Sequence, residues 1–516
     1  MSELEIKFQV PAGARDSLLH AIGSKHLQQV ELHARYFDTA DRLLGRHQLA
    51  LRLRREGDQW VQTLKGALPH RLERQEDNVA LPGASAEGLQ VLPERHAATD
   101  VGERLAKLLK AHGRPALSEA FRTDVRRGTR VLEAHGVVVE WALDQGAITA
   151  GGRTRPLLEL ELEVKAGDPA GLYAVAQDWQ SRHGLWIDPI SKAERGALLQ
   201  DDQPYARAVK AKPPRFHKGI EGGELLRAIV AACLSQILPN AAELAGGSEL
   251  PEHVHQLRVG LRRLRTALRE FGSTSDGPDP SGQAPIETAF AALGEARDRY
   301  VLAQSLRPLL VRAGAPLADP ADATGSAMPD EATLIARARD LVRGQAFQAA
   351  LLQLLAYAHP PRREDRSRPN GAARVDASPA SDGVSSEGVD ARNDARDHLR
   401  RLHRQVTRRA EAFETLDILD QHKVRKRLKR LRYLAEFVAP LFKPRRVETW
   451  LNALEPAQDE LGRHVDHAMA AQRFAHLATQ DPRAWFAAGW LSCGLEGTAR
   501  DARKSLERFA RAAVFW

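Results

Sequence analysis

The sequence predicts an α+β chain, with a strand-rich first part and an all-α second part. Three observations predict it. Short period-two or β-rich segments recur through residues 1–165, apolar residues take on helical spacing from about 222 onward, and the helical part repeats itself. A chain of 516 residues has room for two or three domains. The expected division is 1–200, a linker at 201–218, and 219–516.

Strands are expected at 3–9, 31–37, 49–54, 60–65, 77–81, 120–126, 137–143 and 157–165, with helices near 13–22, 101–112 and 169–183. Pro204, Pro213 and Pro214, set among scattered Lys and Arg, mark the linker. Eight helices follow, near 222–237, 252–271, 285–313, 331–356, 393–414, 421–442, 447–475 and 483–513. The Gly/Pro/Asp/Ser-rich stretches 273–284 and 314–330 read as loops. The Arg-, Asp-, Ser- and Pro-rich stretch at about 360–392 reads as a disordered low-complexity insertion.

The repeat is explicit in the residues. His255-Gln-Leu-Arg258-Val-Gly-Leu-Arg262-Arg263-Leu-Arg265 matches His422-Lys-Val-Arg425-Lys-Arg-Leu-Lys429-Arg430-Leu-Arg432 at an offset of 167. Leu293-Gly294-x-x-x-Asp298 matches Leu461-Gly462-x-x-x-Asp466 at an offset of 168. Two features at nearly one offset imply two four-helix units related by a pseudo-two-fold.

Composition narrows the function classes. Hydrophobic (43%) and charged (28%) contents are those of an ordinary globular chain. No stretch approaches ~20 consecutive apolar residues and the start shows no secretory pattern, so no membrane partner is expected. Cys233 and Cys493 cannot build a disulfide framework, which points to a reducing cytosol. Residues 1–200 are charge-balanced, so the whole net charge of +8 lies in residues 201–516. A basic face attracts a polyanion. Aromatic residues are only 5%, which argues against single-stranded nucleic acid as that polyanion.

On a strand, Glu3, Glu5 and Lys7 point one way while Leu4, Ile6 and Phe8 point the other. Arg52 and Arg54 share a face, as do Glu159, Glu161, Glu163 and Lys165. Three carboxylates spaced ~7 Å apart along a strand repel. A hard divalent cation relieves that repulsion, and arginines on facing strands suit phosphate. A closed sheet with a charged interior would hold both sets around one polyanion.

These runs resemble the CYTH, or triphosphate tunnel metalloenzyme, superfamily. The resemblance rests on Glu3-x-Glu5-x-Lys7, Tyr36-Phe37-Asp38-Thr39, Ala50-Leu51-Arg52-Leu53-Arg54, Thr63-Leu64-Lys65, Arg74-x-Glu76, Phe121-x-Thr123, Arg127, Ala142-Leu143-Asp144-Gln145-Gly146, Glu159-x-Glu161-x-Glu163 and Ser191-Lys192-x-x-Arg195-Gly196, in that order. It implies an eight-stranded antiparallel β tunnel barrel with flanking helices that hydrolyses inorganic triphosphate to pyrophosphate and phosphate, using Mg²⁺ or Mn²⁺. By the same resemblance Lys7, Arg52, Arg54, Lys65, Arg74, Arg127 and Lys192 clamp phosphate. Glu3, Glu5, Asp144, Glu161 and Glu163 hold one or two metal ions, with Glu159 adjoining. Glu3, Glu5, Lys7 and Lys65 are the implied catalytic groups. Tyr36 and Thr39 read as structural, Trp60 and Trp141 as packing, Arg126 as solvated, and Glu76 as a partner for Arg74.

In the helical part His255, Arg258, Arg262, Arg265 and Arg269 form one face, with Leu257, Leu261, Leu264, Leu268 and Phe271 opposite. His422, Arg425, Lys429 and Arg432 repeat this against Val424, Leu428 and Leu431. Like charges a helical turn apart repel, so a polyanionic partner explains the stripes better than solvation does. With Arg297-Asp298 and Gln458-x-x-Leu461-Gly462, these runs resemble the CHAD domain over about 220–516. That resemblance implies a duplicated four-helix-bundle domain that binds long-chain polyphosphate through His255, Arg258, Arg262, Arg265, His422, Arg425, Lys429 and Arg432. Tyr300 departs from it, standing where the family usually has a second Asp. His253 and His255 do not share a helical face, which argues against a histidine metal site.

The expected activity is inorganic triphosphate hydrolysis in the cytoplasm, in association with polyphosphate granules. Two alternatives remain open: a polyphosphate-binding scaffold with weak catalysis, and a nucleotide triphosphatase or adenylate cyclase. The full carboxylate set favours catalysis over the scaffold.

Overall fold

The structure, a computed structural model, describes residues 2–67, 73–83, 89–217, 219–220, 222–272, 277–324, 328–359 and 391–516. The expected insertion at 360–392 falls almost wholly outside them. The side chains of Glu3 and Arg74 also lie outside the described set, although their backbones are included.

The strands are β1 (Ser2–Gln9), β2 (Gln28–Asp38), β3 (Leu49–Glu56), β4 (Gln59–Ala67), β5 (Glu73–Leu81), β6 (Ser118–Ala134), β7 (Val137–Ala150), β8 (Arg153–Gly167) and β9 (Trp186–Ile187). They form one antiparallel sheet in the order β5-β4-β3-β2-β6-β7-β8-β1-β9. A short seam pairs Ser2–Leu4 of β1 with Glu73–Gln75 of β5. The eight expected strands are all present, but the sheet has nine strands and is not a uniformly closed barrel. The added strand β9 pairs Ile187 and Trp186 with Phe8 and Gln9 of β1.

Turn chemistry explains the long central strands. His135-Gly136 joins β6 to β7 and Gly151-Gly152 joins β7 to β8, and all four residues have positive φ. Two-residue turns of this hand match the twist of the flanking strands, so both hairpins run on without splaying.

The helices beside the sheet are α1 (Arg15–Ile22), α2 (Leu43–Arg46), α3 (Asp100–Ala111), α4 (Ala170–His183) and α5 (Lys192–Gln200). The helical part contains α6 (Gly222–Ala245), α7 (Pro251–Phe271), α8 (Gln283–Val301), α9 (Arg307–Arg312), α10 (Glu331–Arg343), α11 (Gln345–Ala358), α12 (Ala391–Thr407), α13 (Ile418–Val438), α14 (Pro444–Leu477), α15 (Ala484–Cys493) and α16 (Leu495–Ala510). Three of the long helices expected from periodicity are broken. The expected 285–313 helix passes through a π turn at Leu302–Leu306, and the 331–356 and 483–513 helices are interrupted at Gly344 and Gly494. Glycine costs about 1 kcal/mol against alanine inside a helix, and apolar periodicity does not register that penalty.

One helix, over Gly223–Ala245, is long and apolar enough by length and composition to cross a membrane, contrary to the expectation from the sequence. Its most apolar window is 72% buried, against α7, α10 and α11. The core is continuous across both parts of the chain: Ile6, Phe8, Trp141 and Leu160 of the sheet join Leu172 and Val175 of α4, Ile229 of α6, Leu351 of α11 and Leu431 of α13.

Helices α7 and α13, which carry the repeated basic motif, pack against each other. Arg263 of α7 pairs with Glu436 of α13, and Arg430 of α13 pairs with Glu270 of α7. The equivalent arginines of the two repeats, Arg263 and Arg430, thus each pair with a glutamate on the other helix. Burial would push the Glu270 carboxyl up, but His398, Arg430 and Arg401 outweigh it and hold it at about 2. A depressed carboxyl adds stability above its unfolded pKa and loses it as pH falls through the folded value. Glu270→Gln is therefore expected to cost about 3 kcal/mol at pH 7, with the gap to the unsubstituted chain closing as pH falls toward 2. Denaturant unfolding at a series of pH values measures it.

Candidate active site and anion groove

The sheet encloses a cavity of about 980 Å³ whose lining includes Glu5, Lys7, Arg52, Arg54, Lys65, Arg127, Asp144, Glu161, Glu163 and Lys192. Strand alternation accounts for this. On β3 the expected apolar partners of the arginines, Leu51 and Leu53, are fully buried on the other face, and on β8 Leu160 and Leu162 do the same. Register sets the facing charges: Lys7 lies opposite Glu161, Glu5 opposite Glu163, and Arg127 opposite Asp144.

Lys192 organises one wall. It is the first residue of α5, whose start is fixed by a capping box in which Ser191 accepts from the Glu194 N–H and Glu194 accepts from the Ser191 N–H. Its Nζ lies 2.8 Å from Asp144, 3.0 Å from Glu159 and 2.7 Å from Glu161. Gly196, one turn further on, lets α5 lie directly on β6, because a Cβ there would stand 2.2 Å from the Phe121 ring. Phe121 in turn stacks on Tyr36 with ring centres 4.4 Å apart. The run Ser191-Lys192-x-x-Arg195-Gly196 is thus a cap, a charge and a close contact in succession. Sequence periodicity missed this helix, yet the capping-box spacing was legible.

Arg127 donates to both oxygens of Asp144 at 2.6 Å and to Glu161 at 2.5 Å. Burial would lower the charged forms of Arg127 and Lys192, but the carboxylates raise both. The Glu161 carboxyl is driven well below its usual range, because Lys192 and Arg127 outweigh its burial. Lys7 donates to Glu159 at 3.1 Å and to the Ile190 carbonyl.

The opposite wall is cationic with fewer counter-ions. Glu76 pairs with Lys65 and lies 3.8 Å from Arg52, while the side chain of its expected partner Arg74 lies outside the described residues. Its carboxyl is held at about 2, burial being outweighed by Lys65 and Arg52. Arg52 donates to the Tyr36 hydroxyl at 3.2 Å. Arg54 has Glu56 as its ion-pair partner, and burial together with Arg52 lowers its pKa. A half-buried guanidinium beside two other arginines is a site that favours an incoming anion. Trp60 and Trp141 are core residues, Arg126 pairs with Glu31 at the surface, and Thr39 accepts from the Leu43 N–H.

The carboxylates proposed as metal ligands divide into two groups. Asp144, Glu159 and Glu161 are engaged by Lys192, and Glu159 is fully buried. Glu5 and Glu163 stand directly across adjacent strands, with Lys165 2.8 Å from Glu163. Among the described residues, no three His, Cys, Asp or Glu side chains already converge as a metal cluster. The oxygen-only donors that line the cavity, Glu5, Glu161 and Glu163, suit a hard divalent cation, and a cation between Glu5 and Glu163 would relieve a like-charge pair.

A second cavity, of about 880 Å³, lies where α7 meets α13, and its lining includes Arg262, Arg265, Arg269, Lys426, Lys429 and Arg430. Arg258, Arg262 and Arg265 all sit over the Phe290 ring, 4.8, 5.9 and 4.9 Å from its centre. Lys429 is pushed down to about 7 by burial, Arg425 and Arg262, and Arg258 to about 10 by burial and Arg262. Arg425, Arg432 and Arg265 have partners in Asp466, Glu436 and Glu287. Burial and neighbouring cations lower His255 and His422, so neither contributes charge near neutrality. His253 is structural, bonding Ser248 at 2.7 Å and the Ala206 carbonyl at 2.8 Å.

The fold and these two sites define a class: a tunnel-type sheet domain in series with a duplicated helical domain, each lined with cations. The chain carries a CYTH domain, whose family model matches residues 1–197, followed by a CHAD domain, matched over 228–475. It is 28% identical over 178 residues to an inorganic triphosphatase of Haemophilus influenzae, covering 34% of this chain and 48% of that protein. The chain thus spans about half the length of that curated relative. Among solved structures, the CHAD domain of Ricinus communis is 25% identical, covering 60% of this chain and 98% of that one at a TM-score of 0.42. A putative adenylyl cyclase from Hippeastrum, described as having a dominant triphosphatase activity, is 20% identical, covering 39% and 96% at a TM-score of 0.29.

Because Lys192 neutralises three carboxylates, Lys192→Met is expected to destabilise the chain by about 3–5 kcal/mol. Adding Glu159→Gln should restore a measurable part of that loss, which a denaturant double-mutant cycle detects.

Proposed function

We propose that the sheet cavity hydrolyses inorganic triphosphate and that the helical groove binds long-chain polyphosphate. The observation that carries the first half is the convergence of Lys7, Arg52, Arg54, Lys65, Arg127 and Lys192 on one cavity, where burial and Arg52 lower the pKa of Arg54. The similarity to an inorganic triphosphatase over 178 residues and the CYTH match over residues 1–197 support it.

In this reading, Arg52, Arg54 and Lys65 take up phosphate oxygens on the cationic wall, where guanidinium forks fit them bidentately. Arg127 presents the guanidinium donors not occupied by Asp144 and Glu161 to the charge that spreads over the transferred phosphoryl group, while Lys192, its three donors shared among Asp144, Glu159 and Glu161, contributes its charge. A divalent ion held by Glu5, Glu161 and Glu163 would supply charge neutralisation and an acidified water. Glu161 remains ionised across the physiological range and is fit to accept a hydrogen bond from attacking water. Tyr36, tied to Arg52, keeps that guanidinium aimed across the cavity.

Phosphate release from inorganic triphosphate, ATP and long-chain polyphosphate, each with Mg²⁺ and with Mn²⁺, tests the assignment. Glu161→Gln is expected to lower turnover on triphosphate by about 10²-fold. Arg54→Ala is expected to raise KM about tenfold or more, the loss of one charge-assisted bond. ATP turning over faster than triphosphate would move the assignment to a nucleotide substrate.

For the groove, the cations shared by α7 and α13 carry the reading. Double reversals Arg258→Glu with Arg262→Glu, or Arg425→Glu with Lys429→Glu, are expected to weaken polyphosphate binding in either repeat. The unaltered chain should lose affinity steeply as salt rises. Lys429 adds a pH signature. Its pKa near 7 in the free groove must rise when polyanion binds, so binding takes up a proton above pH 7 and weakens as pH climbs toward 9. Titration calorimetry at pH 7.5 in buffers of different ionisation enthalpy should show that uptake, and Lys429→Met should abolish it.

A further inference from the structure

We infer that the helical domain is part of the tunnel's working apparatus: Glu243 and Gln348 hold the 186–195 segment against β1 and so position Lys7 and Lys192. This rests on the sheet cavity being the reaction site.

The segment 186–195 has two faces. Toward the tunnel it supplies the Ile190 carbonyl and Asp188 to Lys7, and it carries Lys192. Asp188 is fully buried and accepts from Gln9 Nε2 at 3.1 Å, from the Ile190 N–H at 2.9 Å and from Arg195. The Asp188 N–H donates to the Lys7 carbonyl at 2.9 Å. Lys7 is therefore gripped at its backbone and at its ammonium by one short stretch of chain.

The other face of that stretch is held by helices far away in sequence. Gln348 of α11, 1% exposed, accepts from the Ile187 N–H at 2.9 Å, and its own amide is fixed by donating to the Val342 carbonyl at 2.8 Å. Glu243 of α6, 3% exposed, lies 3.8 Å from Arg195, and its Oε1 has no hydrogen-bond partner. Arg343 of α10 sits over the Trp186 ring at 4.9 Å. Three helices thus bear on a segment of ten residues, and β9 itself is only two residues long. A two-residue strand has little pairing of its own to hold it in place. Its position depends on what clasps it from outside. A displacement of about 1 Å at a phosphoryl-transfer site costs up to about 10²-fold in rate.

The experiment uses the full chain and the variants Glu243→Gln, Gln348→Met and their double, with Glu243→Asp as the conservative control. Four quantities are read: kcat and KM on triphosphate, triphosphate affinity by calorimetry, thermal midpoint, and labelling of Lys7 and Lys192 by an amine-reactive ester. The expected result is a tenfold or greater fall in kcat with KM within about twofold, a several-fold rise in labelling of Lys192, and substantial recovery in Glu243→Asp, all with the folded baseline intact. Folded variants with unchanged kcat and unchanged lysine labelling would falsify the inference. If the unsubstituted chain neither binds nor turns over triphosphate, the reading of the cavity fails instead, and the labelling alone decides whether the clasp positions the two lysines.

Discussion

The tunnel depends on one ammonium group placed among three carboxylates. Asp144, Glu159 and Glu161 come from two adjacent strands, and register alone puts Asp144 directly beside Glu159. Without Lys192 their mutual repulsion in a buried setting would oppose the pairing of β7 with β8. With it, the wall carries a defined charge and Arg127 can bridge Asp144 and Glu161. The capping box of α5 and the missing side chain at Gly196 both serve to bring this group to that point.

The helical domain uses a different logic at its own axis. Between α7 and α13 the reciprocal pairs Arg263–Glu436 and Arg430–Glu270 are internally neutralised and lock the two repeats together. On the groove side, Arg258, Arg262 and Lys429 lack such partners among the described residues, and the Lys429 pKa is pushed down to about 7. The packing of α7 on α13 thus neutralises one set of charges across the helix pair and leaves the other set lining the groove. Phe290 lets three guanidinium groups crowd one ring face without burying them in hydrocarbon.

Much of this could be read from the residues. Alternation on β1, β3 and β8 is legible because long charged and large apolar side chains strictly interleave, and period two leaves a single choice of which face is buried. The basic stripes of α7 and α13 were equally plain. What escaped the sequence was whatever depends on contacts between distant segments. Glu76 meets Lys65 and Arg52 because β4 pairs with β5 so that Lys65 faces Glu76. The expected ligand set is divided because Lys192 engages Asp144, Glu159 and Glu161 while Glu5 and Glu163 face each other across adjacent strands. Asp188, Gln9 and Glu243 gave no motif at all, since a buried polar contact leaves no periodic trace. The breaks at Gly344 and Gly494 were visible as glycines but lay inside strongly apolar patterns.

The shared core gives these two sites a mechanical relation. Ile6 and Phe8 of β1 back the same strand that presents Glu5 and Lys7, and they pack into the cluster that contains Ile229 of α6 and Leu261 and Leu264 of α7. Helix α7 carries the groove arginines on its other side. A close-packed interior transmits displacement instead of absorbing it. The short β9 and the 186–195 segment lie at the boundary, bonded to β1 on one side and to α6 and α11 on the other. Tunnel and groove are therefore mounted on one continuous apolar body, and the segment carrying Lys192 is a polar element bonded both to that body's helices and to the tunnel charges.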